Sequence, residues 1–284
     1  MVWNKYDQNG DNLDLPDSMM TYPLGIDVSS YQRTMDWLKA RTTGAKFAFV
    51  KATEGSTWVD PTFAFNWSEL RRLGIPHGAY HYFRPKENAL LQAQEFVDIV
   101  DPQGGERLVL DVENSGGLDR NTLTKCVLTA LETIKGLTGR YPIMYSRASW
   151  LNANLNVSEL PKLDYWLAQY KFANPYPFFT DMYPTDKLTA PIGVERQQIK
   201  FHQGSERGNG GKYGAASHYI DYDRFIGTDE ELASYFGAAN VPVSYKARVI
   251  ADVLNVRSTP EIADNVVGQL TEGAIVNVYE EVVR

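Results

Sequence analysis

The stretch LVLDVENSGG, residues 108–117, joins a run of apolar residues to two acidic residues, Asp111 and Glu113. Side chains alternate between the faces of a strand, so Val109, Asp111 and Glu113 share one face and the remaining positions are apolar. An apolar outer face indicates a strand covered by helices. In a β/α barrel the first set would point inward, and the acid pair would lie at the carboxyl end of the strand, where barrel active sites are built.

Similar strand-like segments recur along the chain and predict the rest of the fold. Helical periodicity follows each of the first five segments, and no helix is predicted after the sixth. Five βα units followed by three strands predict an α/β fold, a modified (β/α)5(β)3 barrel of the TIM type. The predicted strands are 24–28, 46–52, 77–83, 108–113, 142–146, 165–170, 199–204 and 219–225, and the predicted helices are 35–42, 61–74, 87–100, 120–137 and 146–155. Two segments rich in Pro or Gly, 174–195 and 205–218, are predicted to be loops.

The composition of the chain changes near its carboxyl end. From about residue 243, short β-prone runs alternate with turn residues and show no helical period, which predicts a small all-β module. The expected organisation is an N-terminal extension at 1–21, a barrel at 22–237, a linker at 238–244 and the module at 245–284.

Composition and charge restrict the functional classes. The 284 residues are 43% hydrophobic and carry a net charge of -7, which disfavours nucleic acid as a partner. No apolar run approaches the roughly 18 residues of a membrane span, and residues 1–20 are too polar for a signal peptide, so a protein without its own export signal is expected. Cys126 lies beside an apolar helical stripe and is interpreted as a packing residue. The four histidines form no spaced metal motif, so neither a metal nor a cofactor is expected.

Acidic residues at several predicted strand ends indicate a catalytic site. Two carboxylates as close as Asp111 and Glu113 do not both ionise easily, so one should keep a proton near neutral pH. Asp27, Glu54 and Asp221 lie at or near other strand ends, where a barrel would bring them together. Each could instead be a cap or a surface charge, and this simpler interpretation is preferred for Asp223. Aromatic rings near strand ends and loops offer flat faces on which sugars can pack, namely Tyr31, Trp58, Tyr80, Tyr82, Tyr145, Trp166 and Tyr170.

An ordered set of motifs resembles glycoside hydrolase family 25, the Chalaropsis-type lysozymes common among bacteriophage endolysins. The likeness covers roughly residues 22–237, and the order of the motifs makes it specific. The motifs are LGIDVSSYQ, FVKATEGSTWVDPTF, GAYHYFRP, LVLDVE, PIMYS, YWLAQY and YIDYDRF. The small module, with its LNVRSTP, resembles the first half of a bacterial SH3-type cell-wall-binding domain.

The resemblance implies a lysozyme, an N-acetylmuramidase that cleaves the β-1,4 bond between N-acetylmuramic acid and N-acetylglucosamine in peptidoglycan. By motif, Glu113 matches the general acid and Asp111 its partner, with Asp27 and Asp221 at the remaining acidic positions. Substrate-binding positions are expected at Glu54, Tyr80, Tyr82, Tyr145, Trp166 and Gln203. Cleavage with retention is expected. Attack by the substrate's N-acetyl oxygen is preferred over a carboxylate nucleophile, since no second carboxylate is obviously placed for attack.

Several expectations and alternatives accompany this resemblance. His202 replaces an aromatic residue of many relatives, so one sugar subsite is expected to differ. The partner is peptidoglycan, and the oligomeric state is left open with a monomer as the working expectation. The expected location is that of an endolysin, the host cytoplasm until release to the wall, with secretion as the alternative if a native signal is missing from the sequence. Three alternatives remain: a chitinase-like glycosidase, a Mg²⁺-dependent hydrolase and a non-catalytic wall-binding protein. The longer acidic run typical of the chitinase-like enzymes is absent from ERLVLDVE.

Overall fold

The computed structural model describes residues 22–171, 184–237, 245–257 and 266–278. The chain divides into two compact units, Met1–Gly237 and Ala238–Arg284. Within the described ranges, none of the helices has the length and apolar character needed to cross a membrane. The predicted extension at 1–21 and the predicted linker at 238–244 lie outside the described residues.

Eight strands of the first unit close into a barrel, because the first strand pairs with both the second and the last. The prediction of an α/β barrel with eight strands is therefore confirmed. A two-residue strand, β3, pairs with the end of β2 outside the closed ring. The strands are β1 (Leu24–Val28), β2 (Phe47–Glu54), β3 (Trp58–Val59), β4 (His77–Tyr82), β5 (Arg107–Asp111), β6 (Ile143–Ser146), β7 (Tyr165–Ala168), β8 (Ile199–Asn209) and β9 (Tyr219–Phe225).

The strands of the barrel do not all run in one direction. From β1 through β8 each barrel strand is parallel to the next, whereas β9 is antiparallel to both β8 and β1. The start of β9 therefore lies at the same end of the barrel as the carboxyl ends of the other strands. Asp221, the third residue of β9, pairs in register with Asp27 near the end of β1. This reversal gives β9 two acidic positions at the mouth and interior of the barrel.

Helices follow the first five strands of the barrel, as predicted. Side chains of Asp36, Asn88 and Asp119 accept hydrogen bonds from free backbone N–H groups at the helix starts, which explains where α1, α3 and α4 begin. Glycines in the left-handed conformation follow α1, α2 and α4. The helices are α1 (Trp37–Thr43), α2 (Phe63–Leu73), α3 (Ala89–Val100), α4 (Arg120–Thr138) and α5 (Ala148–Asn154).

The prediction that no helix follows the sixth strand is wrong, because α6 (Asp229–Tyr235) comes after β9. Thr228 caps its first turn, and Glu231 returns a bond to the Thr228 backbone, completing a capping box. Leu232 and Phe236 pack into the apolar cluster inside the barrel. The helix is only 7 residues long, so its period is weak, and the TDEE sequence was the available signal.

The prediction of a loop at 205–218 is also wrong in its first part. Strand β8 continues to Asn209 and pairs with β9, and a short 3-10 turn, Gly211–Tyr213, follows. Gly208 serves close packing here, since a Cβ at this position would lie 2.2 Å from the Tyr222 ring. Glycine at this position lets β8 approach the Tyr222 ring closely. The glycine content of this part of β8 resembles that of a loop, which explains the wrong prediction. In the other predicted loop, residues 184–195 contain a 3-10 turn at Thr185–Lys187, and 172–183 lie outside the described residues.

Side chains of the barrel strands divide between two apolar cores. Val109 belongs to the interior core, whereas Leu108, Leu110 and Val112 belong to the outer core beneath the helices. The alternation predicted for residues 108–113 is therefore confirmed. Aromatic rings fill the end of the interior opposite the acidic residues, and the Phe236 ring lies 6.1 Å from that of Phe201. The interior is thus closed below the acidic residues.

The described part of the second unit consists of two antiparallel strand pairs. Strand β10 pairs with β13, and β11 pairs with β12. The predicted all-β character is found in these residues. The strands are β10 (Tyr245–Arg248), β11 (Val253–Arg257), β12 (Val266–Thr271) and β13 (Ile275–Val278).

Candidate active site

A cavity of about 560 Å³ opens at the carboxyl ends of the parallel strands. All ten residues predicted for the site line this cavity: Asp27, Glu54, Tyr80, Tyr82, Asp111, Glu113, Tyr145, Trp166, Gln203 and Asp221. They come from all eight barrel strands or the residues just after them. The barrel therefore brings together side chains that are up to 194 positions apart in the sequence, from 27 to 221.

The carboxyl groups of Asp27, Asp221 and Asp223 form an acidic cluster where β1 meets β9. Asp27 makes side-chain hydrogen bonds with both Asp221 and Asp223, and its residue is 4% exposed. Burial raises the pKa of Asp27 to about 6, despite the hydrogen bonds that lower it. Burial and the negative charge of Asp27 raise the pKa of Asp221 well above its usual range. Protons must therefore be shared within this cluster near neutral pH.

The interpretation of Asp223 as a cap or a surface charge is wrong. Asp223 is fully buried, and its Oδ1 accepts a 2.8 Å hydrogen bond from the Trp166 indole N–H. Alternation along β9 points Asp221, Asp223 and Phe225 into the barrel. The antiparallel pairing of β9 placed this residue below Asp221, and no local sequence pattern specifies that pairing.

Gln203 connects the acidic cluster to two tyrosines. Its Nε2 donates a 2.6 Å hydrogen bond to Asp27 Oδ2. Its Oε1 accepts bonds from the hydroxyl groups of Tyr145, at 2.7 Å, and Tyr170, at 2.6 Å. Both tyrosine donors fix the amide orientation, so its NH₂ group faces Asp27. The Gln203 amide thus links the two tyrosines of the cavity wall to the Asp27 carboxyl group at the cavity floor.

Asp111 and Glu113 differ in their surroundings although they are two residues apart. Asp111 is 5% exposed, and its Oδ1 makes no hydrogen bond with any described residue. Burial, followed by the charge of Glu113, raises the pKa of Asp111 well above its usual range. Glu113 is exposed at the cavity mouth. Partial desolvation raises its pKa, and the positive charges of Arg147 and Lys51 lower it by less. Both groups therefore favour the protonated form more than ordinary carboxyls do.

Glu54 lies in the same cavity but has a different electrostatic character. Lys51 Nζ lies 2.6 Å from its Oε2, and Arg84 Nε lies 2.9 Å from its Oε1. Burial opposes its ionisation, but these two cations outweigh burial and hold its pKa below the usual value. Glu54 is therefore an ionised structural anion that orients two cations, and it is not a proton donor.

The predicted aromatic residues are divided between the cavity wall and the core. The buried Trp166 ring stacks on Phe49, with centroids 4.5 Å apart, and its edge supports the acidic cluster. Tyr82 lies closer to the mouth, where Lys51 and Arg84 contact its faces at 5.1 and 4.8 Å. Tyr31 is 83% exposed at the rim. The rings available to a sugar are therefore those of the rim, while Trp166 acts mainly as packing.

Sequence reasoning missed the charged residues that surround the acids. Lys51, Arg84, Arg147 and Glu206 all line the cavity. Lys51 offered a signal, since it follows Phe47 and Phe49 at inward positions of β2 and places a cation at the end of an otherwise apolar face. Arg84, Arg147 and Glu206 lie just beyond or late in their strands, where strand alternation gives no direction.

His202 does not lie at a sugar subsite, contrary to the expectation from its replacement of an aromatic residue. It is fully buried and faces away from the cavity, with Nε2 2.8 Å from the Gln169 carbonyl oxygen. Arg224 Nε donates to its Nδ1 at 3.1 Å. His81 is likewise buried between Thr53 and Gln92. These two histidines are core residues with satisfied polar atoms, and within the described ranges no group of three or more His, Cys, Asp or Glu residues is arranged to hold a metal ion.

A β/α barrel with an exposed acid beside a buried one, in a cavity rimmed by aromatic rings, defines a glycoside hydrolase. The model of Glycosyl hydrolases family 25 matches residues 26–210, and the chain belongs to this family. It is 36% identical over 217 residues to the uncharacterized protein YegX of Escherichia coli O157:H7, covering 74% of this chain and 72% of YegX. It is 30% identical over 221 residues to Lysozyme M1 of Streptomyces globisporus, covering 73% and 69% of the two chains. A family 25 glycosyl hydrolase from Bacillus anthracis has a similar fold, with a TM-score of 0.61 and 29% identity over 75% of this chain and 94% of that one.

Proposed function

We propose that this protein is a peptidoglycan hydrolase, a lysozyme that cleaves the β-1,4 bond between N-acetylmuramic acid and N-acetylglucosamine with retention of configuration. The observation that carries this proposal is the Oδ1 of Asp111, which is buried in the cavity wall next to Glu113 and receives no hydrogen bond from the part of the chain that the structure describes. A buried polar atom without a partner costs free energy, about 1–3 kcal/mol, until a ligand supplies one. The N–H of a substrate acetamido group is a suitable donor.

Glu113 is the general acid in this proposal. It is exposed to the cavity, and its raised pKa keeps a proton available for the oxygen of the leaving sugar. Proton donation by a positioned carboxyl group contributes roughly 10²- to 10⁴-fold to the rate. Among the acids of the cavity, Glu54 is unsuitable for this role because two cations hold it ionised.

Asp111 orients the acetamido group for attack on the anomeric carbon. As Glu113 protonates the leaving oxygen, the C1–O bond breaks and the acetamido carbonyl oxygen forms a bond to C1, giving a cyclic oxazolinium ion. Water then attacks C1 while the bond between C1 and the acetamido oxygen breaks, which restores the acetamido group. The attacking water gives its proton to the Glu113 carboxylate, and the two inversions give net retention. Positive charge on the oxazolinium favours the ionised form of Asp111, whose pKa is raised in the empty site.

Asp27 and Asp221 supply negative potential on the opposite side of the cavity. They lie in register on β1 and β9 and share protons, so the cluster carries less than its full formal charge. Negative charge at this position stabilises an oxocarbenium-like centre. The aromatic rim and the cations Lys51, Arg84 and Arg147 then position the rest of the glycan.

Digestion of purified peptidoglycan tests the reaction. Mass spectrometry after borohydride reduction should find the reduced residue at N-acetylmuramic acid, and Glu113→Gln should lower kcat by about 10²- to 10⁴-fold with an unchanged melting temperature. Reduced N-acetylglucosamine ends, or wild-type turnover by Glu113→Gln, would contradict the proposal. Release of sugars from chitin oligomers but not from peptidoglycan would favour the chitinase-like alternative. Wall binding without new reducing ends would favour the non-catalytic alternative.

The route of attack needs a separate experiment, because both routes retain configuration. A thiazoline analogue of the cyclic intermediate should inhibit competitively, and Asp111→Asn should weaken that inhibition. A covalent glycosyl-enzyme found by mass spectrometry of a quenched reaction would instead identify a carboxylate nucleophile.

The second unit is proposed to be an SH3-like wall-binding module, and the protein an endolysin-like lytic enzyme. The supporting observations are the two antiparallel strand pairs and the LNVRSTP motif. Truncation after Gly237 should weaken sedimentation with cell walls while preserving cleavage of short soluble glycans. Equal sedimentation of both forms would remove the wall-binding role from this unit.

A further inference from the structure

Asp223 is a buried acid that lies beneath the proposed active site and does not line the cavity. Its strand neighbours in register are Gly25 on β1 and Gln203 on β8. Gly25 carries no side chain because the Phe47 ring fills that space, and a Cβ there would lie 2.2 Å from the ring. A fully buried acid with no contact to solvent requires either a counter-ion or a proton.

The hydrogen bonds of Asp223 decide between these two possibilities. Its Oδ1 accepts from the Trp166 indole N–H, which is a donor only. No donor of the described residues reaches its Oδ2, and the carboxyl group of Asp27 is the charged neighbour that acts on it most strongly. Two ionised carboxylates cannot hydrogen-bond to each other, because both are acceptors. A proton on either carboxyl group would be shared by the pair.

The other contacts of Asp27 show what this shared proton does. Gln203 donates to Asp27 Oδ2, and Asp221 contacts the same carboxyl group from the cavity side. With Gln203 and Asp223 holding Asp27, its carboxyl group cannot rotate away from Asp221. A carboxyl held by donors from two other strands is preorganised, which removes the cost of reorientation during the reaction.

We propose that Asp223 is a positioning residue, which shares a proton with Asp27 and thereby fixes the Asp27 carboxyl group toward Asp221 at the floor of the cavity. The kinetic part of this proposal rests on the proposed lysozyme function. Its structural part, the shared proton, does not.

The charged surroundings of Asp223 support a retained proton. The acids Asp27 on β1 and Asp221 on β9 act on Asp223, and Trp166 on β7 is a neutral donor to it. Glu113, at the end of β5, acts on Asp27. Burial, followed by the charge of Asp27, raises the pKa of Asp223 well above its usual range. The charged groups that act most strongly on Asp223 are the acids Asp27 and Asp221.

Substitution by asparagine separates positioning from mere packing. The carboxamide oxygen of Asn can accept from the Trp166 indole, and its NH₂ group can donate to Asp27 without any proton to lose. Asp223→Asn should therefore keep kcat on peptidoglycan within about threefold of wild type. Asp223→Ala leaves Asp27 unsupported and should lower kcat by about 10- to 100-fold with a smaller change in KM.

Carboxyl ¹³C NMR of protein labelled at Asp tests the shared proton without any turnover. At pH 7, Asp223→Asn should show one fewer neutral Asp carboxyl resonance than wild type, whereas Asp98→Asn, at an exposed position of α3, should show the same number. An unchanged number of neutral resonances in Asp223→Asn would overturn the proposal. So would an equal loss of kcat in the Asn and Ala variants.

These measurements also separate the proposal from the proposed function. If wild type fails to cleave peptidoglycan, the lysozyme assignment fails while the carboxyl resonances still decide the shared proton. If Asp223→Ala does not fold, the comparison of wild type with Asp223→Asn remains sufficient.

Discussion

Asp27 and Asp221 lie directly opposite each other in register on the antiparallel strands β1 and β9, and their side chains share a hydrogen bond. Burial raises the pKa values of both groups, and the negative charge of Asp27 raises that of Asp221 further. The fold therefore retains acids in a position where their ionisation opposes folding. This is a common property of catalytic sites, where function is obtained at the expense of stability.

Asp27→Asn should stabilise the protein at pH 7 and have little effect at pH 4 while reducing activity. The pKa of Asp27 is about 6 in the folded protein, above the ordinary Asp value of 3.8, so the unfolded chain loses this proton first as pH rises. The destabilisation grows from about pH 4 to pH 6 and is fully present above pH 6, where it is about 3 kcal/mol at 1.4 kcal/mol per pKa unit. Urea denaturation at pH 4 and pH 7 measures the change in the free energy of unfolding, with Asp98→Asn as the exposed control. Equal effects at pH 4 and pH 7 would contradict the assignment.

Arg147→Met should move the alkaline limb of the pH–activity profile to higher pH. Burial raises the pKa of Glu113, and the cation of Arg147 lowers it, so loss of that cation raises it further. Activity requires protonated Glu113 and is lost as pH rises through its pKa. The pH dependence of kcat measures the shift, and Lys125→Met, on the exposed side of α4, should leave the profile unchanged. A shift toward lower pH would exclude Glu113 as the proton donor.

Gln203→Leu should destabilise the barrel more than Tyr170→Phe. The leucine removes the amide donor of Asp27 and leaves the hydroxyl groups of Tyr145 and Tyr170 without their acceptor, each at about 1–3 kcal/mol if no water replaces it. The phenylalanine removes one hydroxyl and leaves Tyr145 bonded to the amide, at about 1 kcal/mol. Denaturant midpoints of the two variants test the order. Similar losses would show that Gln203 does not act as a junction.

Phe236→Ala should lower stability by about 3–5 kcal/mol without altering the acidic site directly. Phe236 is 4% exposed, and its ring lies 6.4 Å from those of Phe47 and Phe49 inside the barrel. The matched control Leu137→Ala removes a side chain that is 52% exposed on α4 and should change stability by only about 0.5 kcal/mol. A small effect at Phe236 would indicate that α6 does not close the interior core.

The acidic pair shows how far local sequence determined the candidate site. Alternation along residues 108–113 placed Asp111 and Glu113 on the inward face, because strand geometry depends only on neighbouring residues. Strand-end positions and the family resemblance predicted the other eight residues, and all of them line one cavity. The same alternation along β2 could also have identified Lys51 as an inward-facing residue. Local periodicity and motif order thus determined the fold and ten residues of the cavity, but not its charged rim.

Tertiary structure alone decided the ionisation and orientation of these residues. The reversal of β9 brought Asp221 to the mouth and buried Asp223, and two cations from separate segments fixed Glu54 as an anion. Helix α6 was too short for its period to predict it, and packing against interior rings holds it. Strand pairing joins residues far apart in sequence, and a pKa depends on burial and on every nearby charge. Both are properties of the closed barrel, which no single segment of the chain contains.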